Sequence, residues 1–347
     1  MKKVGIIKDE RYFNHITSDF HPESPGRLKA VYDVIDSSEV KDKLMLIPPR
    51  MAVEEELTLN HSTAYIKTIA ATAGKNYTML DPDTSASPLS WETACLAVGG
   101  LLNLVDKIMV DEIDRGFAII RPPGHHAENS RSMGFCLFNN VAIAAMYGIK
   151  KYSWKKVLIV DWDLHHGNGT QNSFYDKDQV LYFSTHQYPY YPGSGGYNEV
   201  GEGKGAGFTV NIPLAGEQGD HDFLSIFQEI LYPIGKEYSP DIVLVSVGFD
   251  TYFEDPLGSM NVTPEGYALL TDVLLQLARE CCGGKVILVL EGGYHLKGLA
   301  ASVLSVLKKL LSSDGDLKEL MPADLMPSTI TVLNQVKKVL GKFWHNI

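Results

Sequence analysis

Asp161, Asp163 and His165 fall at alternate positions in the run Val157-Leu158-Ile159-Val160-Asp161-Trp162-Asp163-Leu164-His165-His166-Gly167-Asn168-Gly169. Extended backbone sends alternate side chains to one face, so the two carboxylates and the imidazole are expected together, with Trp162 and Leu164 opposite. Oxygen and nitrogen donors that converge in this way suit a metal better than an apolar core. Taken alone, the run reads equally well as a solvated turn. Three further polar clusters shift the balance: Arg121-Pro122-Pro123-Gly124-His125-His126-Ala127, Ser246-Val247-Gly248-Phe249-Asp250 and Leu290-Glu291-Gly292-Gly293-Tyr294. Each follows an apolar run, where a parallel sheet would gather all of them.

Chemistry sorts the roles. Asp163, His165 and Asp250 form an oxygen, nitrogen, oxygen set with one open side, the arrangement of a catalytic zinc site. Two carboxylates make such a metal less electrophilic than three histidines would, so an external base should help to activate water. His125 and His126 are the available bases, and an imidazole in that role needs its far nitrogen fixed by a partner. Asp161 and Asn168 are suitable partners. Asp161 would raise the pKa of its histidine and the neutral Asn168 would leave the other lower, but spacing leaves open which meets which. Tyr294 offers a hydroxyl donor for the oxyanion of a tetrahedral intermediate, and Gly292 and Gly293 before it permit close backbone approach.

The elements that must position these groups are legible as β-branched runs. Strands are expected over residues 4–8, 117–121, 157–161, 180–184, 241–247 and 285–291, and helices over 25–37, 90–109, 140–147, 222–237, 264–281 and 296–311. Their alternation predicts an α/β fold with a mostly parallel central sheet and helices on both faces. Such sheets bind ligands beyond the carboxyl ends of their strands. The segment Tyr188 to Tyr197 is expected to be a loop whose aromatics line a cleft or simply pack. Leu333, Val336, Leu340 and Phe343 recur at helical spacing behind Ser328, which predicts a packing helix near 328–344 without chemistry. No repeat, low-complexity tract or linker interrupts the chain, so one domain over 1–347 is expected.

Of the 347 residues 45% are hydrophobic and 21% charged, the balance of a soluble globular protein. No apolar run reaches membrane-spanning length, and the start leads into a strand and not a signal peptide, so a cytoplasmic protein without membrane association is expected. Cys95, Cys136, Cys281 and Cys282 lack zinc-ribbon or disulfide spacing and are read as packing residues. A net charge of -11 argues against nucleic-acid binding and is compatible with cationic substrates. No segment announces an oligomeric interface.

Together, Gly124-His125-His126-Ala127, Gly134-Phe135-Cys136, Asp161 to Gly169, Gly248-Phe249-Asp250 and Glu291-Gly292-Gly293-Tyr294 closely resemble the histone deacetylase and acetylpolyamine amidohydrolase family. The resemblance runs from His21-Pro22-Glu23 and Arg27 to about Leu311, and its form is that of class II and bacterial members. It implies the arginase-deacetylase fold and a zinc held by Asp163, His165 and Asp250. It also implies His126 as general base with Asn168 behind it, His125 with Asp161 as electrostatic or acid partner, and Tyr294 polarising the scissile carbonyl. Phe135 and Tyr191 would flank an acyl-lysine tunnel, Gly134 would accept the substrate amide proton, and Asp83 would hold the substrate backbone at the rim. Potassium is implied beside the zinc, through Asp161, Asp163, His165, Ser184 and Thr185, and again near Phe174, Lys177 and Val180.

The related arginases need a second aspartate where this chain has Tyr252, which favours one metal and disfavours amidinohydrolase activity. A non-catalytic acyl-lysine binder would be expected to lack Tyr294 or one histidine, and this chain has all three. Polyamine-specific relatives carry a glutamate at the place of Leu257 to receive a second ammonium, so Leu257 removes the argument for strict polyamine specificity. The substrates implied are acyl-lysine peptides or proteins, with acetylpolyamines and other small N-acyl amines as the alternative.

Overall fold

The computed structural model describes residues 2–313 and 325–347. In chain order the strands are β1 (Val4–Ile7), β2 (Leu44–Leu46), β3 (Thr78–Asp81), β4 (Thr84–Ala86), β5 (Arg115–Ala118), β6 (Val157–Asp161), β7 (Val180–Gln187), β8 (Thr209–Leu214), β9 (Ile242–Val247) and β10 (Val286–Leu290). β3 and β4 form a separate antiparallel ribbon. The other eight make one parallel sheet in the order β2-β1-β5-β10-β9-β6-β7-β8. Every residue of β1, β5, β6, β9 and β10 is buried, which is why all of these but β5, which begins at Arg115, read as nearly continuous apolar runs and not as alternating ones.

The helices are α1 (Pro25–Ser37), α2 (Glu54–Leu57), α3 (Thr63–Ala70), α4 (Ser90–Met109), α5 (Asn140–Tyr152), α6 (Asn168–Phe174), α7 (Asp220–Ile226), α8 (Tyr232–Tyr238), α9 (Pro264–Cys282), α10 (Leu296–Leu311) and α11 (Pro327–Leu340). α4 packs on β5, β1 and α5, while α10 packs against α1 and α9. Their ends follow local chemistry. Asn139 caps α5 by accepting from the Ala142 amide at 3.0 Å, and Thr263 caps α9 by accepting from Gly266 at 3.2 Å. Gly283 closes α9 at a φ of 65°. No helix among the described residues is long and apolar enough to cross a membrane.

Departures from the expected elements have physical causes. Asn211 and Pro213 interrupt the apolar pattern of β8, so the spacing does not predict this strand, and it lies at the sheet edge, where a proline is tolerated. β2 is a three-residue edge strand with little burial. Ladder pairing in β5 covers 115–118 and not 117–121, because Arg121 turns into a buried ion pair with Glu23. The helix expected over 222–237 contains a π-helical turn at Phe227–Leu231 just before Pro233, whose ring cannot continue regular α-helical bonding. α11 ends at Leu340, beyond which Trp344 folds back to donate to the Gly207 carbonyl at 2.9 Å.

The strand order does the positioning. β5, β10, β9 and β6 are consecutive neighbours, so the segments that leave their carboxyl ends meet over one part of the sheet.

Candidate active site

β6 ends at Asp161, and the chain turns through 162–167 before α6, so strict alternation stops there. Asp161 consequently separates from the next two donors. Its Oδ2 lies 3.0 Å from His125 Nδ1 and accepts from the Tyr182 hydroxyl at 3.0 Å. Asp163, His165 and Asp250 offer donor atoms that all lie within 4.8 Å of one another. His165 Nδ1 is 3.1 Å from Asp163 Oδ1 and 3.2 Å from Asp250 Oδ2. The remaining carboxylate oxygens are held by backbone: Asp163 Oδ2 accepts from Gly292 at 2.8 Å and Asp250 Oδ1 from Leu164 at 2.9 Å.

Two observations show that this cluster fits a cation. Asp250 Oδ2 is buried and receives no hydrogen bond, a costly state unless an ion completes it. At Gly292 an added Cβ would stand 2.2 Å from that same oxygen and 2.6 Å from Asp163 Oδ2, so any side chain there would fill the cradle.

His126 stands beside His125, with ring centroids 4.0 Å apart. Its Nδ1 lies 2.8 Å from Asn168 Oδ1, while Asn168 Nδ2 donates to Glu128 Oε1 at 2.9 Å. The amide oxygen can only accept, so His126 carries its proton on Nδ1 and keeps a lone pair on Nε2. Gly134, Phe135, Tyr191, Leu257, Asp83 and Tyr294 line one narrow pocket, with His125, His126 and His165 also in its walls. Gly134 has a φ of 57°, and a Cβ on it would lie 2.2 Å from the His126 ring. Tyr191 meets the His126 ring edge-on at 5.1 Å, and Phe135 meets Tyr294 edge-on at 6.1 Å. Asp83 sits at the β3–β4 turn and accepts from the Gly134 amide at 3.0 Å. Ser184 lies in register with Asp161 on the neighbouring strand, and the Phe174 carbonyl accepts from Lys177 at 3.0 Å.

Known proteins resemble this chain in sequence and fold. The family model for the histone deacetylase domain matches residues 21–310. This chain belongs to the histone deacetylase family. It is 39% identical to histone deacetylase 5 of Arabidopsis thaliana over 364 residues, which takes in all of this chain and 54% of that protein. A probable deacetylase of Archaeoglobus fulgidus is 34% identical, with 98% of each chain covered. The crystal structure of the HDA15 HD domain superposes with a TM-score of 0.92 at 37% identity, covering 99% of this chain and 96% of that one. The chain spans between half and two thirds of the length of the three plant histone deacetylases it matches.

The electrostatics of this deacetylase-family site follow from burial and pairing. Burial alone would lower the His125 pKa, but the charges of Asp161 and Asp163 raise it to about 10. Burial, with the positive charges of His125 and His165, drives His126 well below the ordinary histidine range. The two imidazoles are thereby split into one that holds a second proton and one that stays neutral. Burial, then the neighbouring Asp163, raises Asp250 to about 7, and burial raises Glu291 to about 7. So many buried carboxylates repel one another unless a cation joins them.

Several supporting residues carry no signal in spacing. Glu291 Oε2 accepts from the amides of Gly124 and His125 at 2.6 and 3.2 Å, and its Oε1 accepts from Ser246 at 3.0 Å. It thus pins the histidine loop to the ends of β9 and β10. Arg27 donates to the carbonyls of Gly293 and Glu291, each at 2.6 Å, and lies 5.0 Å over the Tyr294 ring. Glu23 bridges Arg27 and Arg121 in full burial. A charged residue inside or just after an apolar run was the one available hint for Glu291 and Arg121. His166 bonds to Ser194 and Gln171 and supports the aromatic loop, away from the metal cluster.

Proposed function

We propose that the chain is a zinc-dependent deacetylase that removes acetyl, or other acyl, groups from lysine side chains of peptides and proteins. The observation that carries this reading is the narrow pocket between Phe135 and Tyr191, which leads to a neutral imidazole, a charged imidazole, a metal-ligand trio and a phenol. The trio of two carboxylates and one imidazole suits zinc with an open position. A zinc ion held by Asp163, His165 and Asp250 supplies Lewis acidity toward the acyl carbonyl and acidifies water.

The chain's own groups then divide the work. His126 Nε2, free because Asn168 occupies Nδ1, takes the proton from the attacking water. Tyr294 donates its hydroxyl to the oxygen that becomes anionic, and the His125 imidazolium, held by Asp161, stabilises the same charge. Collapse of the tetrahedral intermediate breaks the carbon–nitrogen bond, and the proton on His126 passes to the departing lysine amine. The Gly134 carbonyl accepts a hydrogen bond from the substrate amide N–H, and Asp83 receives the substrate backbone at the rim. Potassium beside Asp161, Asp163, His165, Ser184 and Thr185, and near Phe174, Lys177 and Val180, belongs to the same proposal. So does a cytoplasmic setting, which four unpaired cysteines support.

Leu257 favours lysine substrates over polyamines, because an aliphatic side chain in the pocket wall cannot receive a second ammonium. The deciding experiment compares kcat/KM for an acetyl-lysine peptide, acetylputrescine and acetylspermidine. The peptide should lead by at least about tenfold, equivalent to about 1.4 kcal/mol; a lead for either polyamine would overturn the substrate assignment.

A further inference from the structure

The loop 291–295 that carries Tyr294 has no regular secondary structure, and Gly293 in it takes a φ of 115°. Two successive glycines give such a segment many conformations, so something must select the one that aims the phenol. Carbonyls on one side are fixed by Arg27. The amides on the other side converge on a single carboxylate. Asp255 Oδ2 accepts from the Tyr294 amide at 2.6 Å and from the His295 amide at 3.0 Å. Its Oδ1 accepts from the Leu257 amide at 3.0 Å. Asp255 is only 6% exposed, so these charge-assisted bonds face little competition from water.

We infer that Asp255 is a positioning residue that locks the Tyr294 loop to the Leu257 segment, fixing the oxyanion donor relative to the part of the acyl-pocket wall that Leu257 forms. The inference rests on the deacetylase reading of the site. Both Tyr294 and Leu257 line that pocket, and one side chain of two oxygens sets the distance between their backbones. The neighbouring contacts serve the same end: Tyr252 stacks on His295 at 5.3 Å with an interplanar angle of 12°, so the segment after Tyr294 is clamped from the same loop as Asp255. An asparagine would keep one oxygen acceptor but turn an NH2 toward backbone donors, leaving at least one amide unpaired. Misplacement of a reacting group by about 1 Å costs on the order of a hundredfold in rate.

The test is a double-mutant cycle of Asp255→Asn with Tyr294→Phe in the zinc-loaded protein, assayed on an acetyl-lysine peptide, with amide hydrogen exchange of residues 291–296 measured in parallel. Expected are a fall in kcat of about 10–100-fold for Asp255→Asn, a smaller change in KM, faster exchange at Tyr294 and His295, and unchanged zinc content. In the Tyr294→Phe background the same substitution should cost less than about threefold, because the group it positions is already gone. Losses that multiply in full, or unchanged exchange with kcat within about twofold of the parent, would overturn the inference. Near-normal turnover of Tyr294→Phe alone would instead sink the oxyanion reading, and the positioning role with it. Should Asp255→Asn fail to fold, Asp255→Glu, which keeps the charge but displaces both oxygens by a methylene, takes its place in the cycle with the same expectations.

Discussion

Asn168 Oδ1 lies 2.8 Å from His126 Nδ1, and this one bond decides which nitrogen of the histidine faces the pocket. The amide cannot be turned around, because its Nδ2 donates to Glu128 Oε1. His125, one residue earlier, is held by a carboxylate in place of an amide. Two adjacent imidazoles thus acquire opposite protonation preferences: against burial, the carboxylates of Asp161 and Asp163 hold a proton on His125, whereas burial and the charges of His125 and His165 keep His126 neutral.

Exchanging that charge should move the pH profile. Asn168→Asp places a carboxylate behind His126 and raises its pKa, so a larger fraction is protonated, and inactive as a base, at any given pH. The acidic limb of the kcat/KM profile is therefore expected to shift to higher pH than in the parent. Asn168→Ala, which removes the partner, should cost about 10–100-fold without a shift in that direction. A profile for Asn168→Asp that coincides with the parent's would contradict the assignment of His126 as base.

Tyr294→Phe should lower kcat by about 100–1,000-fold, the usual cost of one oxyanion donor. Zinc content measured on the purified variant should match the parent, because the phenol is not among the three ligands. Loss of metal together with activity would give the tyrosine a different role.

Legibility in the sequence was uneven, for physical reasons. The strand at 157–161 was readable to its last residue because burial on both faces demands an unbroken apolar run. The gathering of Asp161, His125, Asp250 and Tyr294 followed from strand ends in a parallel sheet, although sheet order itself was not readable. The Asp161, Asp163, His165 alternation was only half a guide, since the strand stops at Asp161 and the next donors are aimed by a turn. Asp255 was invisible as a tether: its partners at Tyr294 and His295 are backbone amides 39 and 40 positions away, and a backbone amide has no signature in a sequence. Glu23 likewise becomes informative only when Arg121 and Arg27 arrive beside it.

Acid should destabilise the fold in two stages. Burial holds His15, His61 and His186 near a pKa of about 4, below the 6.5 of an exposed imidazole. Between those values the unfolded chain binds more protons at these three sites, which outweigh the opposite contribution of the two carboxyls Asp250 and Glu291, raised to about 7, so stability falls as pH drops from about 6.5 to about 4. Burial would raise the Glu23 pKa, but Arg121 and then Arg27 hold it down to about 2, so a second loss follows as pH falls below 4.5. Melting temperature measured from pH 7.5 downward should decline across the first window. A flat curve from pH 6.5 to pH 4.5 would contradict neutral burial of these histidines.

Glu23→Ala should be among the most damaging single substitutions, at about 3–5 kcal/mol, because it leaves Arg27 and Arg121 as unpaired buried charges. Denaturant midpoints of the parent and variant measure this directly. A loss below about 1 kcal/mol would mean that both guanidiniums find other partners.

The most direct test of the account is acetate release from an acetyl-lysine peptide by protein stripped with a chelator and then titrated with zinc. Activity should vanish on stripping and return in proportion to zinc, saturating at one ion per chain, as Asp163, His165 and Asp250, the one such trio among the described residues, require. Turnover that survives complete metal removal, or a zinc-loaded protein that releases no acetate, would contradict it.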